Sequence, residues 1–308
     1  MTLPHLTDED VRRVPASVIV DALEAAARDP ATGVHDPPRG VHGFPSGQLL
    51  LMPSWGGRHA GVKIASVAPD NPTVGLPRIQ GLYLLLDAAT LTPVALMDAL
   101  ELTGIRTAAV SAVAVRHLLP RPVERVAVLG SGVQAWSHMR VFHEDHLGVH
   151  FDVVGRDRAK AARLVDQALE QGIDASVASR ENLVDAELVV CCTTARTPVV
   201  SRSDVASDAV IVAVGSHEPE AAEIANDLIS QSTVVVETRP VAEREAGEVV
   251  QALAAGRIDA EDLIELGALV RGEAKPDSAS SRIFKSVGMA WEDLAVASVV
   301  LEHHGQHC

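Results

Sequence analysis

The segment Arg125-Val126-Ala127-Val128-Leu129-Gly130-Ser131-Gly132-Val133-Gln134-Ala135 constrains this chain more than any other. A short, β-branched apolar run ends in Gly-x-Gly-x-x-Ala, and a stretch of helical character follows. A strand that turns this sharply into a helix is the usual cradle of a dinucleotide pyrophosphate. Gly130 permits the turn, Gly132 lets the backbone approach the phosphates, and Ala135 lets the helix pack close to the strand. The helix start, with Ser131, Val133 and Gln134 around the glycines, offers free N–H groups and a partial positive charge to the anion.

The texture around this motif divides the chain. From Arg125 onward, apolar strand candidates (Arg125–Leu129, Phe151–Val154, Leu188–Cys192, Val210–Val214 and Val234–Glu237) alternate with helical segments, which implies a parallel sheet covered on both faces. Beyond Glu243 the pattern is mostly helical, and the last apolar helix, Trp291–Leu301, is expected to return to the N-terminal part. Before the motif, Thr7 caps a helix start at Asp8-Glu9-Asp10, and a helical pattern follows from Ala16 to Arg28. Asp29–Pro45, rich in Pro and Gly, is expected to be an irregular loop. Strand-like runs come next at Gln48–Met52, Gly61–Val67, Leu82–Leu86 and Val94–Met97, the last two joined as a hairpin through Asp87-Ala88-Ala89-Thr90. A long helix spans Asp98–Leu119 and stops before Pro120 and Pro122. The fold class is therefore α/β. A Rossmann-type dinucleotide-binding domain occupies residues 120–285. An α+β N-terminal domain occupies residues 1–119, rejoined by residues 286–308.

Composition narrows the partners. A net charge of −15 argues against nucleic acid or an anionic membrane. No apolar run approaches the roughly 20 residues that span a bilayer, and the polar, acidic start Met1–Asp10 is unlike a secretory signal. The three cysteines, Cys191, Cys192 and Cys308, have no zinc or disulfide spacing. A reduced cytoplasmic protein without a metal site is expected. Cys191 and Cys192, adjacent in an apolar run, suit packing rather than redox chemistry. The tail from His303 to Cys308 reads as a frayed polar terminus.

The end of the second strand decides which dinucleotide fits. An acid there bonds the adenosine ribose and favours NAD; a cation suits the 2′-phosphate of NADP. The sequence here is Val154-Gly155-Arg156-Asp157-Arg158. Arg156 and Arg158 can present planar donors to a phosphate dianion, so NADPH is expected over NADH. In the alternative, both arginines are solvated and Asp157 takes the ribose.

Leu102-Thr103-Gly104-Ile105-Arg106-Thr107-Ala108-Ala109-Val110-Ser111-Ala112 resembles the signature of the ornithine cyclodeaminase/mu-crystallin family. Gly130–His138 is close to that family's glycine loop, Ile211–Gly215 to its later strand, and Phe284–Asp293 to its C-terminal motif. The resemblance runs from about Arg39 to Asp293. It implies an N-terminal domain that dimerises and holds substrate, giving a homodimer, and hydride transfer between nicotinamide and the α-carbon of an amino or imino acid. It also implies that Thr193, Val214, Ser286, Gly288 and Met289 approach the dinucleotide.

Three cations match the family's carboxylate-binding positions: Arg39, Lys63 and Arg106. Arg106 lies in an otherwise apolar helix, where its charge needs an anionic partner, either substrate or a structural acid. Lys63 sits on a strand between Val62 and Ile64, and Arg39 in a loop. The sequence departs from the cyclodeaminases at the Asp that engages the substrate amine, where His217 stands. Leu50 stands where a second acid is expected. Without both anions a cationic ornithine side chain loses its grip, which favours imine reduction. His217 is a candidate proton donor or a wall of the pocket; Glu218 is the alternative donor. The leading reading is an NADPH-dependent reductase of a small cyclic ketimine such as pyrroline- or piperideine-2-carboxylate. An ornithine- or lysine-type cyclodeaminase that recycles NAD is the second reading. A non-catalytic, NADPH-dependent ligand-binding protein is the third.

Overall fold

A computed structural model describes residues 3–29, 35–119, 121–145, 149–277 and 279–307. The chain divides into two compact units, Met1–Arg106 with Met289–Cys308, and Thr107–Gly288.

The first unit opens with β1 (His5–Leu6), α1 (Asp8–Arg12) and α2 (Ala16–Arg28). Thr7 caps α1 through a reciprocal capping box with Asp10. In α2, Ala16, Ile19, Val20 and Leu23 recur at helical spacing and are buried. Then come β2 (Gly40–Phe44), β3 (Gly47–Gly56), β4 (His59–Val67), β5 (Ile79–Asp87) and β6 (Pro93–Asp98). They form a six-stranded sheet in the order β1-β6-β5-β4-β3-β2. All pairings are antiparallel except that of β1 with β6. The expected hairpin between β5 and β6 is present. The loop expected over Asp29–Pro45 is only partly a loop, because β2 forms within it and pairs with β3 from Gly40↔Leu51 to Phe44↔Gly47. Glycines hid that strand, since they carry no side chain to show alternation. Residues 30–34 of the loop lie outside the described residues.

Strand alternation sorts the sheet's two faces. Leu50, Met52, Ala65, Tyr83, Leu85, Ala95 and Met97 are buried on one face, and Lys63 shares that face with them. The other face carries Leu51, Val62, Ile64, Leu82 and Leu84, each half-buried or exposed.

α3 (Ala99–Leu118) begins in the first unit and continues into the second, the division falling between Arg106 and Thr107 rather than at residue 119. Pro120 lies outside the described residues. The second unit then runs β7 (Arg125–Leu129), α4 (Val133–Asp145), β8 (His150–Val154), α5 (Arg158–Glu170), β9 (Ala175–Val177), β10 (Leu188–Cys191) and β11 (Val210–Ala213). It continues through α6 (Asn226–Ile229), β12 (Ser232–Val236), α7 (Arg239–Glu245), α8 (Gly247–Ala254), β13 (Ile264–Glu265), α9 (Leu266–Val270) and β14 (Ser281–Lys285). The eight strands are all parallel, in the order β13-β12-β14-β11-β10-β7-β8-β9. The sheet is a doubly wound, Rossmann-type one. β7 lies between β8 and β10, so the chain reverses its direction of travel across the sheet there. Such a switch point opens a crevice at the strands' carboxyl ends.

The expected helical texture beyond Glu243 is interrupted by β14, which enters the sheet between β11 and β12. All five of its residues are buried, Arg282 and Lys285 included. Arg282 donates from Nη1 to the Leu118 carbonyl at 2.8 Å and from Nη2 to the Asp208 carbonyl. Its charge is thus met by backbone oxygens at one end of the strand.

α10 (Ala290–His307) completes the first unit, packing on α2, β3, β4 and β5. The tail is not frayed where it is described: α10 continues through His307, and only Cys308 lies outside the described residues. Among the described residues no helix is long and apolar enough to cross a membrane.

Candidate active site

In the second unit, the glycine turn follows β7 at the switch point. Gly130 has φ +123°, and a Cβ there would stand 2.6 Å from the Cys192 carbonyl at the tip of the neighbouring β10. Only glycine lets these two strand ends close together. At Gly132 a Cβ would meet nothing within 4 Å. The lack of a side chain there leaves the start of α4 approachable by a large anion. Ala135 is fully buried beneath this turn. The residues fit a dinucleotide pyrophosphate.

α4 is tied to α3 behind the turn. His138 is completely buried, with Nδ1 2.7 Å from the Gln134 carbonyl and Nε2 3.0 Å from Ser111 Oγ. Burial pushes its imidazole down to about 4. The ring is neutral at physiological pH, with Nδ1–H donating to the carbonyl.

The carboxyl ends of the neighbouring strands are held by buried acids that the sequence reading assigned no role. Glu223 accepts from Thr193 N, Thr193 Oγ1 and Gly215 N, each at 2.7 Å. One carboxylate therefore pins the segments after β10 and β11 together. Its own N–H donates to Glu248 at 2.7 Å. Lys285, at the end of β14, stands 3.2 Å from Glu248 and donates to the Ser216 carbonyl at 2.7 Å. Burial raises the Glu223 carboxyl, opposed by Lys285 and the Thr193 donors. Glu237, just after β12, likewise accepts from Ser286 Oγ at 2.7 Å and from Val287 N and Gly288 N at 2.9 Å. Thr193 and Ser286 thus spend their hydroxyl protons on internal acids. Val214 is the first residue after β11 and half-buried. Cys191 and Cys192 stand at the end of β10, where burial pushes both thiols well above their ordinary range.

Gly155 follows β8. Asp157 caps α5, its carboxylate accepting from Ala159 N at 3.0 Å and Lys160 N at 3.1 Å. Arg156 and Arg158 are exposed, and neither side chain makes a hydrogen bond or ion pair among the described residues. His217 is half-buried in the loop after β11. Glu218 beside it is ion-paired to Arg196 at 2.6 Å.

In the first unit, β4, α3 and the first turn of α10 bring four charged side chains together. Lys63 donates to Asp293 Oδ1 at 2.9 Å and lies 2.8 Å from Oδ2. Arg106 donates from Nη1 to Glu292 at 2.6 Å, and its Nε lies 3.3 Å from Asp293 Oδ1. All four residues are buried. Burial lowers the Lys63 amine to about 8, Asp293 opposing the shift and Arg106 adding to it. Beside Lys63, Leu50, Met52, Ala65 and Ala290 form an apolar cluster, joined by half-buried Val67. Met289 is buried immediately before α10. Arg39 stands half-buried just before β2. The acid that a charge like Arg106 calls for is thus supplied internally. Glu292 and Asp293 were visible as a motif, but nothing in a linear sequence pairs them with cations 186 and 230 residues away.

A profile of the ornithine cyclodeaminase/mu-crystallin family matches residues 8–307. The chain is 31% identical to an alanine dehydrogenase of Archaeoglobus fulgidus, over 97% of its own length and 94% of that protein's. It is also 31% identical to the ketimine reductase mu-crystallin of Mus musculus, over 93% and 92% of the two lengths. Among solved structures, the Delta(1)-pyrroline-2-carboxylate reductase of Thermococcus litoralis, in complex with NADH and L-proline, is similar with a TM-score of 0.93. That match has 26% identity and covers 99% of this chain and 98% of the other.

Proposed function

The chain belongs to the ornithine cyclodeaminase/mu-crystallin family, and we propose that it is an NADPH-dependent reductase of a small cyclic imino acid. Pyrroline- or piperideine-2-carboxylate is the substrate type. One observation carries this reading: Lys63 and Arg106 meet at Asp293, buried together beside an apolar cluster. An ammonium has three donors and a guanidinium five, so the pair can grip a substrate carboxylate in addition to their internal acids. Arg39 joins the grip from the segment before β2. The apolar Leu50, Met52 and Ala65 suit a hydrocarbon ring.

The dinucleotide, when bound, supplies the hydride that reduces the imine carbon. Gly130, Ser131, Gly132, Val133 and Gln134 hold its pyrophosphate. Thr193, Val214, Ser286, Gly288 and Met289 line the remainder, and Glu223 and Glu237 fix the segments that carry most of them. NADPH is favoured because Asp157 is committed to capping α5, whereas Arg156 and Arg158 are exposed. Replacing Arg156 with Asp is expected to lower the NADPH preference at least tenfold, measured as the ratio of kcat/KM for the two cofactors; an unmoved ratio would return the ribose to Asp157. His217 donates the proton that the imine nitrogen takes up. Glu218 is less suited, being held by Arg196.

Leu50 and His217 argue against a cyclodeaminase, since neither offers an anion to a distal substrate amine. A binding protein without turnover is the reading of another class. One assay separates all three: the pure protein is given cyclic and linear imines, ornithine, lysine and both cofactors, while nicotinamide absorbance and ammonia are followed. Consumption of NADPH with a cyclic imine and no ammonia from ornithine is the expected result. Ammonia release without net cofactor consumption would make it a cyclodeaminase, and dinucleotide binding without any turnover would make it a binding protein. We further propose a homodimer formed through the sheet of the first unit.

A further inference from the structure

The grip proposed for the substrate carboxylate has a component of its own to hold it in shape. We propose that Asp293 is a positioning residue, whose one carboxylate clamps Lys63 and Arg106 side by side and keeps the lysine charged for the incoming anion. The inference rests on the carboxylate-grip reading and gives Asp293, there only the point where the two cations meet, a function of its own.

The geometry is specific. Asp293 lies in the first turn of α10, Lys63 on β4 and Arg106 on α3. Its Oδ1 faces both cations, 2.9 Å from Lys63 Nζ and 3.3 Å from Arg106 Nε, while Oδ2 lies 2.8 Å from Nζ. Two like charges brought this close repel strongly away from water, and a shared acid between them offsets that repulsion. Glu292 takes the far side of Arg106 at 2.6 Å. The four side chains are all at least nine-tenths buried, so water cannot take over this balancing.

The other charged and titratable groups around the cluster leave this role to Asp293. From β5, Tyr83 is the cross-strand partner of Lys63 and fully buried. Burial, Asp293 and Asp36 all push its phenol upward, so it stays neutral. α2 packs on α10 and buries Ala16, Ile19, Val20 and Leu23, and its charged residues Asp21, Glu24 and Arg28 are not among the groups that shift Lys63. On β4, His59 bonds Ser298 at 2.9 Å and interacts with Glu302, further along α10. Among the neighbours of Lys63, Asp293 is the largest influence holding the ammonium charged, followed by Glu292; burial and Arg106 work against it. The amine sits at about 8, so the charge is present below that pH and lost above it. Removing Asp293 leaves burial and Arg106 opposed only by Glu292, which moves the loss to lower pH.

The test is the pH dependence of carboxylate binding to the protein saturated with NADP+, with pyrrole-2-carboxylate as the probe. This flat anion cannot accept hydride. Wild-type affinity is expected to hold up to about pH 8 and fall above it. In D293N the fall should begin at least about one pH unit lower, with affinity near neutrality weakened about tenfold or more. Near-UV circular dichroism checks that the variant is folded. D293E, which restores the charge on a longer arm, should return the pH limb while leaving the affinity weakened. A purely structural role would lower the melting temperature of D293N and leave its pH limb and affinity where they were; that result overturns the proposal. Should D293N not fold, D293E decides, and a limb displaced downward in that charge-preserving variant overturns it. Failure of the wild type to bind the probe at any pH would instead sink the carboxylate grip, and this inference with it.

Discussion

A single methyl group separates two different failures at the glycine turn. At Gly130 an added Cβ would strike the Cys192 carbonyl at 2.6 Å, in a backbone region that L-residues avoid. G130A is therefore expected to lose about 1–3 kcal/mol of stability along with dinucleotide binding. At Gly132 the same methyl meets nothing within 4 Å. G132A should fold with an unchanged unfolding midpoint yet bind the dinucleotide at least tenfold more weakly, because the methyl stands where phosphates approach. Urea unfolding and fluorescence titration of the pair check this contrast; equal binding by G132A would mean that the pyrophosphate lies elsewhere. His217 is the other residue whose part is open to direct measurement. Its replacement by Ala should lower kcat about a hundredfold and remove one limb of the pH–rate profile if its imidazole moves a proton. An unchanged rate and profile would leave it a wall of the pocket.

At the scale of elements, the parallel sheet positions its loops through buried carboxylates. Glu223 joins the segments after β10 and β11 by three bonds of 2.7 Å. A glutamine there has one acceptor oxygen and an amide that repels donors. E223Q should cost about 1–3 kcal/mol and raise KM for the dinucleotide more than it changes kcat. Loss of stability with unaltered cofactor KM would show that the two loops keep their places without the acid. The elements themselves differ in how far a linear reading finds them. β7, β10 and β11 were legible because strands buried on both faces are continuous apolar runs, and the glycine turn was legible because its chemistry is local. β14 was not. Ser-Arg-Ile-Phe-Lys looks like a surface segment, and its two cations are buried only because Leu118, Asp208, Ser216 and Glu248 receive them. β2 was missed for the opposite reason, since its glycines carry no pattern. The candidate site divides in the same way. Lys63 and Arg106 were visible as cations in apolar surroundings, but Glu292, Asp293 and Glu223 acquire their partners only through packing between segments far apart in the chain.

For the whole molecule, the sheet of the first unit bears on the proposed homodimer. Its face opposite the Lys63 side carries Leu51, Val62, Ile64, Leu82 and Leu84 in adjacent register positions, with Ile64 directly paired to Leu82. Ile64 and Leu82 are each 41% exposed, in a row where a solvated face carries polar residues. The proposed homodimer would bury this face. The chain's net charge of −15 sets the terms of that association. Two copies repel one another at long range, so the contact must come from short-range apolar burial, and screening the repulsion should tighten it. The expected species at moderate salt is a dimer, with a dissociation constant that decreases as sodium chloride is raised from low to physiological ionic strength. L82E places an acid in the middle of that face, adding a desolvation cost to the existing repulsion. Light scattering should then find a monomer at concentrations where the wild type is dimeric, while circular dichroism shows the fold intact. A dimer that survives L82E would mean that the copies meet through another surface.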